Sequence, residues 1–330
     1  MKPFKILIAM TLITATQGWA QGIIDVHAHL LSPTFTEALK QEGRLLEEGF
    51  PLPRYEVDAH LKWMDEAGVQ TAVLTLAAPQ PMSAQTIRQT NEEAARLKAE
   101  HPGRFLFCAA LPLPDVDAAI REAIYALDTL HADGIKLATN VQGQYLGAPE
   151  LDSLFAVLHA RRAVVILHPH RPAPVNEAVM RQTPLAMQEY LSETTRAVAN
   201  MISRNVLATY PNIKVVVPHC GAYLPLAVPR MKSLTPVMQA NKLVGDIDWE
   251  ANLAALYYDL AGAHSPEVIR MLLTITTPDH LLYGSDYPYV APQVLTAGLE
   301  RMRRYLSEEP DLSVYKEKIL RINANQLFKQ

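Results

Sequence analysis

Two histidines lie two residues apart in "GIIDVHAHL", residues 22 to 30, among mostly apolar neighbours. Such an apolar run is typical of a buried strand, and residues i and i+2 of a strand lie on one face, about 7 Å apart. His27 and His29 would therefore point to the same side. Two converging imidazoles are suitable ligands for zinc or another divalent metal, although this spacing alone is weak support for a site.

Three further residues could complete such a site, and each follows its own apolar run. His168 follows "AVVIL", His219 follows "IKVVVP", and Asp286 follows "LLYGS". Neutral imidazoles and carboxylates bind divalent first-row metals, and a site with an open position can hold a water or a substrate oxygen. The sequence therefore predicts a metal centre, provided that the fold brings these runs together. His170 could compete with His168 as a ligand.

The elements that must position these residues are eight short apolar runs. They begin at residues 22, 71, 104, 133, 163, 213, 255 and 280. Each run is continuously apolar, as expected for parallel strands that are covered on both faces. Amphipathic patterns between them predict helices within 56–69, 83–103 and 114–134. The alternation predicts a (β/α)8 TIM barrel, in which the carboxyl ends of all strands meet at one face.

A doubly wound open sheet is the alternative fold, but no glycine-rich phosphate loop follows the first strand. No linker or repeat divides the chain, so residues 21–330 are predicted to form a single barrel domain. The stretch 31–55 is rich in proline, glycine and charge, and it is predicted to be a long loop that contributes to the site.

Several motifs together make the chain resemble the amidohydrolase superfamily, and within it the branch of aminocarboxymuconate-semialdehyde decarboxylase and related decarboxylases. The matching motifs are "DVHAH", "GIKLATNVQGQYLG", "ILHPHRP", "SETTRAV", "YPNIKVVVPHCGAYLP" and "LLYGSDYP". The resemblance covers essentially the whole chain after the first twenty residues. It implies one catalytic metal per chain, usually zinc or else another divalent ion such as manganese, held by His27, His29, His168 and Asp286. His168 is favoured over His170 because it precedes a proline in the matching "HP" pattern.

The resemblance also implies roles in catalysis and in substrate binding. His219 falls where the family keeps a histidine that acts on the metal-bound water or on the substrate, so His219 and Asp286 are the predicted catalytic residues. Arg230 falls where the family places an arginine for the substrate carboxylate, sometimes offered into the neighbouring subunit of a dimer. A guanidinium suits this task because it donates two parallel hydrogen bonds to a carboxylate. Arg54 is a further candidate of the same kind, and a homodimer is expected.

The sixth run departs from the family pattern. The family often has "HxGG" here, whereas this chain has His219, Cys220, Gly221 and Ala222. Ala222 would alter the loop beyond the strand and thereby the placement of the substrate. Because neighbouring residues of a strand face opposite ways, Cys220 is expected to point away from the metal as an inert thiol. Cys108 is its only possible disulfide partner, and that bond would have to cross the barrel.

Lys136 ends the fourth run, in "GIKLAT". In other amidohydrolases a carboxylated lysine at this place bridges two metals. The branch resembled here uses one metal, so Lys136 is expected to be an ordinary lysine that reaches solvent or substrate. A binuclear hydrolase is the main alternative to the mononuclear centre.

The first twenty residues are typical of a signal peptide. Lys2 and Lys5 precede the apolar run "ILIAMTLITA", and small residues precede a cleavage point after Ala20. The mature protein is therefore expected to be exported, either to a periplasm or from the cell. No later stretch predicts a membrane helix, and the net charge of −4 argues against nucleic acid or anionic membrane as a partner.

These observations predict a metal-dependent, non-oxidative decarboxylase of a small hydroxyaromatic or unsaturated carboxylic acid. A hydrolase of a lactone, amide or ester would need the same ligands, because a metal-bound water would then attack a carbonyl group. A hydratase is possible on the same scaffold. A secreted protein that binds metal or carboxylates without turnover is the alternative outside the enzymes. The ligands alone do not distinguish these functions.

Overall fold

The computed structural model describes residues 22–44, 46–47, 50–76, 82–176, 178 and 182–329, so the predicted signal peptide lies outside the described residues. Its centre is a sheet of eight strands, one for each apolar run. Numbered in chain order, the strands are β1 Ile23–Leu30, β2 Val69–Leu76, β3 Phe105–Ala110, β4 Gly134–Ala138, β5 Val164–His168, β6 Lys214–Val217, β7 Leu256–Asp259 and β8 Leu281–Leu282.

The strands are parallel and lie side by side in chain order. The segment that contains and follows β8 returns to β1, which closes the sheet. The backbone N–H of Val26 donates to the carbonyl of Tyr283 at 3.0 Å, and that of Asp286 donates to the carbonyl of His27 at 2.7 Å. The predicted (β/α)8 barrel is thus confirmed.

Helices cover the outside of the barrel. The described α-helices are α1 Pro33–Gln41, α2 Val57–Ala67, α3 Ala84–Glu100, α4 Val116–Asp128, α5 Asp152–Ala160, α6 Glu189–Ser203, α7 Val206–Thr209, α8 Leu224–Ala240, α9 Trp249–Ala254, α10 Pro266–Leu272, α11 Pro292–Glu308 and α12 Asn323–Phe328. The three helices predicted from amphipathic patterns are α2, α3 and α4. Within the described part of the chain, none of these helices has the length and apolar character that crossing a bilayer requires.

The prediction of an unbroken loop over residues 31–55 was wrong, because α1 lies within it. Ser32 caps this helix by accepting the N–H of Phe35, and Pro33 occupies its first turn. Phe35 and Leu39, one helical turn apart, are fully buried in a small apolar cluster. Two buried positions are enough to dock a short helix, but they are too few to show a clear period in the sequence.

Alternating strand residues fill the lower part of the barrel with aliphatic side chains. This inner cluster contains Ile24, Val26, Val73, Leu106, Cys108, Val164, Ile166, Val216 and Leu282, and it is closed by Ala324 and Leu327 of α12. The opposite faces of the strands pack against the helices in a larger core. Each fully buried aliphatic side chain stabilises the fold by roughly 1.5–3 kcal/mol. Below the level of the polar residues, packed side chains therefore fill the interior of the barrel.

An irregularity in β1 aims its histidines at the upper end of the barrel. The register between β1 and β2 shifts between Asp25 and Ala28, so that the consecutive residues Val26 and His27 both face inward. The buried Asp25 carboxylate accepts the backbone N–H groups of His27 and Ser285, each at 3.0 Å. Hydrogen bonds to both β1 and the segment after β8 thus fix this bulge in β1.

Candidate active site

The five predicted histidine and aspartate residues converge at the carboxyl ends of the strands. The ring centres of His27 and His29 are 5.0 Å apart, and those of His29 and His168 are 4.8 Å apart. The ring of His219 lies 5.0 Å from that of His27. One ligand atom from each of His27, His168, His219 and Asp286 lies within 4.8 Å of the others. The prediction that separate strand ends supply a single polar centre agrees with this geometry.

The carboxylate of Asp286 lies at the middle of this group. Its Oδ1 is 3.0 Å from Nε2 of His29 and 3.6 Å from Nε2 of His27. Its Oδ2 is 3.8 Å from Nε2 of His219. Asp286 has φ +71°, a left-handed conformation that aspartate tolerates better than most residues. The segment after β8 therefore turns sharply to place this carboxylate among the imidazoles.

Asp259, at the end of β7, orients His27. Its fully buried Oδ2 lies 2.8 Å from Nδ1 of His27, while its Oδ1 accepts the backbone N–H groups of His219 at 3.1 Å and Ala261 at 3.0 Å. Nδ1 of His27 therefore carries a proton, and its buried Nε2, which has no hydrogen-bond partner among the described residues, points toward the centre. A carboxylate behind a histidine in this way is typical of metal-binding imidazoles.

Sequence reasoning missed Asp259. It stands as the sole carboxylate in the seventh apolar run, "ALYYDLAG", and that isolation was the available signal.

His29 can present its Nε2 atom to the centre in the same way as His27. Its Nδ1 lies 2.9 Å from Oγ1 of Thr75, and this hydroxyl donates to the carbonyl of Ala28 at 3.3 Å. In the tautomer whose Nδ1 proton is accepted by this hydroxyl, Nε2 turns its lone pair toward Oδ1 of Asp286, 3.0 Å away. A metal ion can then be bound by both atoms. The donor set therefore fits a divalent metal.

His168 presents its ring in the same way. Its Nδ1 lies 3.0 Å from the carbonyl of Pro169, which accepts the Nδ1 proton and leaves Nε2 as the ligand atom. The backbone carbonyl of the residue that follows His168 thus fixes the tautomer of the imidazole.

The protonation states of most of the cluster are those that metal binding requires. Burial lowers the pKa of His29 to about 4 and holds that of His168 well below its usual value. Burial raises the pKa of the Asp286 carboxyl, but interactions with His219 and His29 outweigh it and hold that pKa well below normal. Burial lowers the pKa of His27, but attraction to Asp259 outweighs it and raises the value to about 9. A metal and a proton would compete for His27 Nε2.

The turn after β6 is strained. His219, Cys220, Gly221 and Ala222 all have positive φ, and Ala222 adopts φ +54° with ψ −127°, a conformation suited to glycine. A non-glycine residue held in such a region costs about 1–3 kcal/mol. The "HxGG" pattern of the family thus has a backbone reason, and Ala222 keeps the conformation at a cost while adding a methyl group to the wall of the cavity.

Cys220 belongs to this turn and not to a strand, because β6 ends at Val217. The expectation that strand alternation turns Cys220 away was therefore wrong, since it is among the residues that line the cavity. Its thiol is buried and lies 3.7 Å from the carbonyl of Ala261, and burial raises its pKa well above the usual range. The expected inert character agrees with that environment, and Cys108 is also a free buried thiol.

A cavity of about 600 Å³ opens directly above the cluster. His168, His219 and Asp286 form its floor, and Tyr190 and Tyr289 place their rings edge-on to His168 and His29. The remaining lining is apolar or aromatic, and it includes no lysine or arginine among the described residues. The site thus combines a metal-type cluster with an apolar chamber suited to an aromatic ring.

His170 and Lys136 lie beside the cluster in different ways. His170 lines a separate groove with Asn140 and Arg171 and does not line the cavity above the cluster. Lys136 is buried, so of its two expected environments, solvent or substrate, solvent is excluded. Its ammonium group is close enough to contribute to the lowered pKa values of His29 and His168.

The two predicted substrate arginines do not line this cavity in the single chain. Arg230 is exposed on α8. Arg54 is exposed, pairs with Glu56 at 2.8 Å, and lines a groove beside α1. Their roles stay predictions.

The barrel and the cluster at its carboxyl end are typical of amidohydrolases, and sequence comparison agrees. A family model for amidohydrolases matches residues 24–330, so the chain belongs to this family. The chain is 33% identical over 328 residues to the decarboxylase yanB of Aspergillus niger, covering 92% of this chain and 87% of that protein. It is 31% identical over 322 residues to the 6-methylsalicylic acid decarboxylase acuB of Aspergillus aculeatus, covering 92% and 95%.

A solved structure extends the comparison. A dihydroxybenzoic acid decarboxylase from Polaromonas, with bound manganese and the inhibitor 2-nitroresorcinol, aligns with a TM-score of 0.77 at 19% identity. The alignment covers 94% of this chain and 97% of that one. The likeness shows a shared fold. The predicted resemblance to decarboxylases of the amidohydrolase superfamily is confirmed by the family match and the relatives.

The role of Asp259 can be tested by replacing it with asparagine. Asp259→Asn keeps the shape but offers a single oxygen, which cannot accept both from His27 and from the two backbone N–H groups. We expect the affinity for zinc or manganese to fall about 10- to 100-fold, measured by competition with a chelator. Asp117→Asn, on the exposed side of α4, is the control. Unchanged affinity in a folded Asp259→Asn variant would contradict the assigned role.

Proposed function

We propose that this chain is a metal-dependent, non-oxidative decarboxylase of a small hydroxyaromatic carboxylic acid. The observation that carries the proposal is the placement of the histidine and aspartate cluster on the floor of an otherwise apolar and aromatic cavity. An aromatic ring fits such a chamber, while its carboxylate and a neighbouring hydroxyl group reach the floor. The decarboxylase names of the relatives that match most of the chain support the same reaction.

We propose that one divalent ion, zinc or manganese, is held by His27, His29, His168 and Asp286. Nε2 of both His27 and His29 faces the centre, and each can bind the ion when Asp259 and Thr75 hold the Nδ1 protons. When bound, the ion would act as a Lewis acid that offsets negative charge on the carboxylate and hydroxyl oxygens of the substrate. Manganese in a structural neighbour supports a first-row metal.

The reaction needs one proton, which goes to the ring carbon that carries the carboxylate. The bond between that carbon and the carboxylate then breaks, its electron pair restores the aromatic ring, and carbon dioxide leaves. His219 and Asp286 are placed to hold the proton, because they face each other at 3.8 Å and both line the cavity. Nδ1 of His219 is buried and has no hydrogen-bond partner among the described residues, so no neighbour there fixes the tautomer of this ring.

The function is tested by measuring carbon dioxide release from hydroxybenzoates, methylsalicylates and muconate-type acids with the metal-loaded protein. We expect release from a hydroxybenzoate or methylsalicylate, and a loss of roughly 10²- to 10⁴-fold in His219→Gln with metal content retained. His101→Gln, at the end of α3, is the matched control. Turnover of lactones or amides without gas would replace the decarboxylase by a hydrolase. Bound metal without any turnover would support a binding protein, and joint loss of metal and activity would make His219 a ligand.

We further propose a homodimer formed through α8. Arg230, Leu234 and Val237 follow one another at helical spacing and are exposed on one side of this helix, and Leu243 is exposed just beyond it. A contiguous exposed apolar surface is typical of a protein interface. Because no lysine or arginine lines the cavity in the described chain, Arg230 of the partner subunit would supply the positive charge that attracts a carboxylate substrate into it.

The dimer is tested by light scattering of Val237→Asp against Val314→Asp. Both valines are exposed, at 57% and 69%, but only Val237 lies on α8. We expect a monomer for Val237→Asp and a dimer for Val314→Asp, because a buried unpaired carboxylate costs several kcal/mol at an interface. Arg230→Ala should raise KM more than it lowers kcat. A dimer that persists in Val237→Asp would exclude this interface.

We also propose that the protein is exported. The basic residues, the apolar run and the small residues before Ala20 support this proposal. Amino-terminal sequencing of protein from a bacterial periplasm should begin at Gln21. Protein that retains Met1 and stays in the cytoplasm would contradict export.

A further inference from the structure

The walls of the cavity above the metal cluster are apolar up to the mouth. Ala222, Ala261, Ala263, Val268 and Val290 line the chamber. Apart from the floor, the only described lining side chains with polar atoms are tyrosines and the buried thiol of Cys220. A substrate with several hydroxyl or carboxyl groups would lose hydrogen bonds to water on entering such a chamber. The part of the substrate that lies beyond the anchoring groups must therefore be apolar.

The cavity is also much larger than one aromatic ring. A cavity of about 150 Å³ is enough to bind benzene, whereas this one has about 600 Å³. A hydroxybenzoate anchored at the floor would thus leave most of the apolar space without contacts. Unfilled apolar space loses the dispersion and hydrophobic energy that a better-fitting ligand would gain.

Three large apolar side chains surround the mouth and are unusually exposed. Met187, Leu226 and Met271 line the cavity, and they are 64%, 67% and 40% exposed. We call these three residues the rim. They belong to three separate parts of the fold: the turn before α6, the start of α8 and the end of α10. The apolar surface is therefore continuous from the metal cluster to the outside.

We propose that the preferred substrates are hydroxybenzoic acids that carry an alkyl chain longer than a methyl group, with the chain running along the apolar walls to the rim. This inference rests on the proposed decarboxylase function and names its substrate class. When the carboxylate and the adjacent hydroxyl group face the floor, the ring positions opposite them point toward the mouth. The chain is accordingly carried at position 4 or 5 of a 2-hydroxybenzoate.

The expected gain follows from the surface that each methylene group buries. Burial of one methylene contributes about 0.8 kcal/mol, which corresponds to about a fourfold increase in kcat/KM or in affinity per methylene. The gain should continue until the chain emerges between the rim residues. A single polar group in place of the chain should lower affinity, because the walls offer it no partner.

The experiment compares salicylate with its 4-methyl, 4-propyl and 4-pentyl derivatives, and uses 2,4-dihydroxybenzoate as the polar counterpart of the 4-methyl compound. Carbon dioxide release gives kcat/KM, and calorimetry with the metal-loaded protein gives the dissociation constant whether or not turnover occurs. From salicylate to 4-pentylsalicylate, we expect kcat/KM to rise and the dissociation constant to fall by at least tenfold. We expect 2,4-dihydroxybenzoate to bind more weakly than 4-methylsalicylate.

Variants of the rim locate the effect. In Leu226→Ser and Met271→Ser, the kcat/KM for 4-pentylsalicylate divided by that for 4-propylsalicylate should fall toward one. Val314→Ser, exposed elsewhere, should keep the wild-type value of this ratio. If affinity is independent of chain length, or higher for the dihydroxy acid, the inference is overturned. If the rim variants become monomers and chain length has no effect, the rim is covered by the second subunit instead. Affinity that rises with chain length without gas release would keep the binding site and reject the decarboxylase.

Discussion

The closure of the barrel between its first and last strands determines both the fold and the site. The backbone N–H of Asp286 donates to the carbonyl of His27 at 2.7 Å, and the same two residues face each other at the centre of the polar cluster. Asp25 also connects the first and last strands, because its carboxylate accepts the backbone N–H of His27 and the hydroxyl of Ser285. Because one set of contacts closes the sheet and aims the ligands, the site is built on the most constrained part of the barrel.

This construction concentrates ionisable side chains at a largely buried place. Asp25, Asp259 and Lys136 are buried beside the histidines, and Asp286 lies among them on the floor of the cavity. Buried charges are costly unless they are paired, and here Asp259 accepts from His27 and two backbone N–H groups, while Asp25 accepts from the hydroxyl of Ser285 and two backbone N–H groups. The carboxylate of Asp286 faces the Nε2 atoms of the imidazoles. A divalent cation between the converging Nε2 atoms would offset the remaining negative charge of the carboxylates. The strained turn that carries His219 shows that the fold also stores energy near the cluster.

Much of this arrangement could be predicted from the sequence. Continuous apolar runs give parallel strands, and barrel topology then gathers residues such as His27 and Asp286 that stand at run ends more than 250 residues apart. The role of Asp259 could not be predicted in this way, because it depends on which ring nitrogen of His27 it meets. The bulge after Asp25 and the position of Cys220 were also out of reach, since both follow from local backbone conformation that departs from regular strands.

The converging side chains should hold one divalent ion per chain. Anomalous diffraction from crystals of the zinc- or manganese-loaded protein would locate this ion. We expect one peak per chain, at about 2.0–2.2 Å from Nε2 of His27, His29 and His168 and from a carboxylate oxygen of Asp286. No peak at this position, or two peaks bridged by a carboxylated Lys136, would exclude the mononuclear centre.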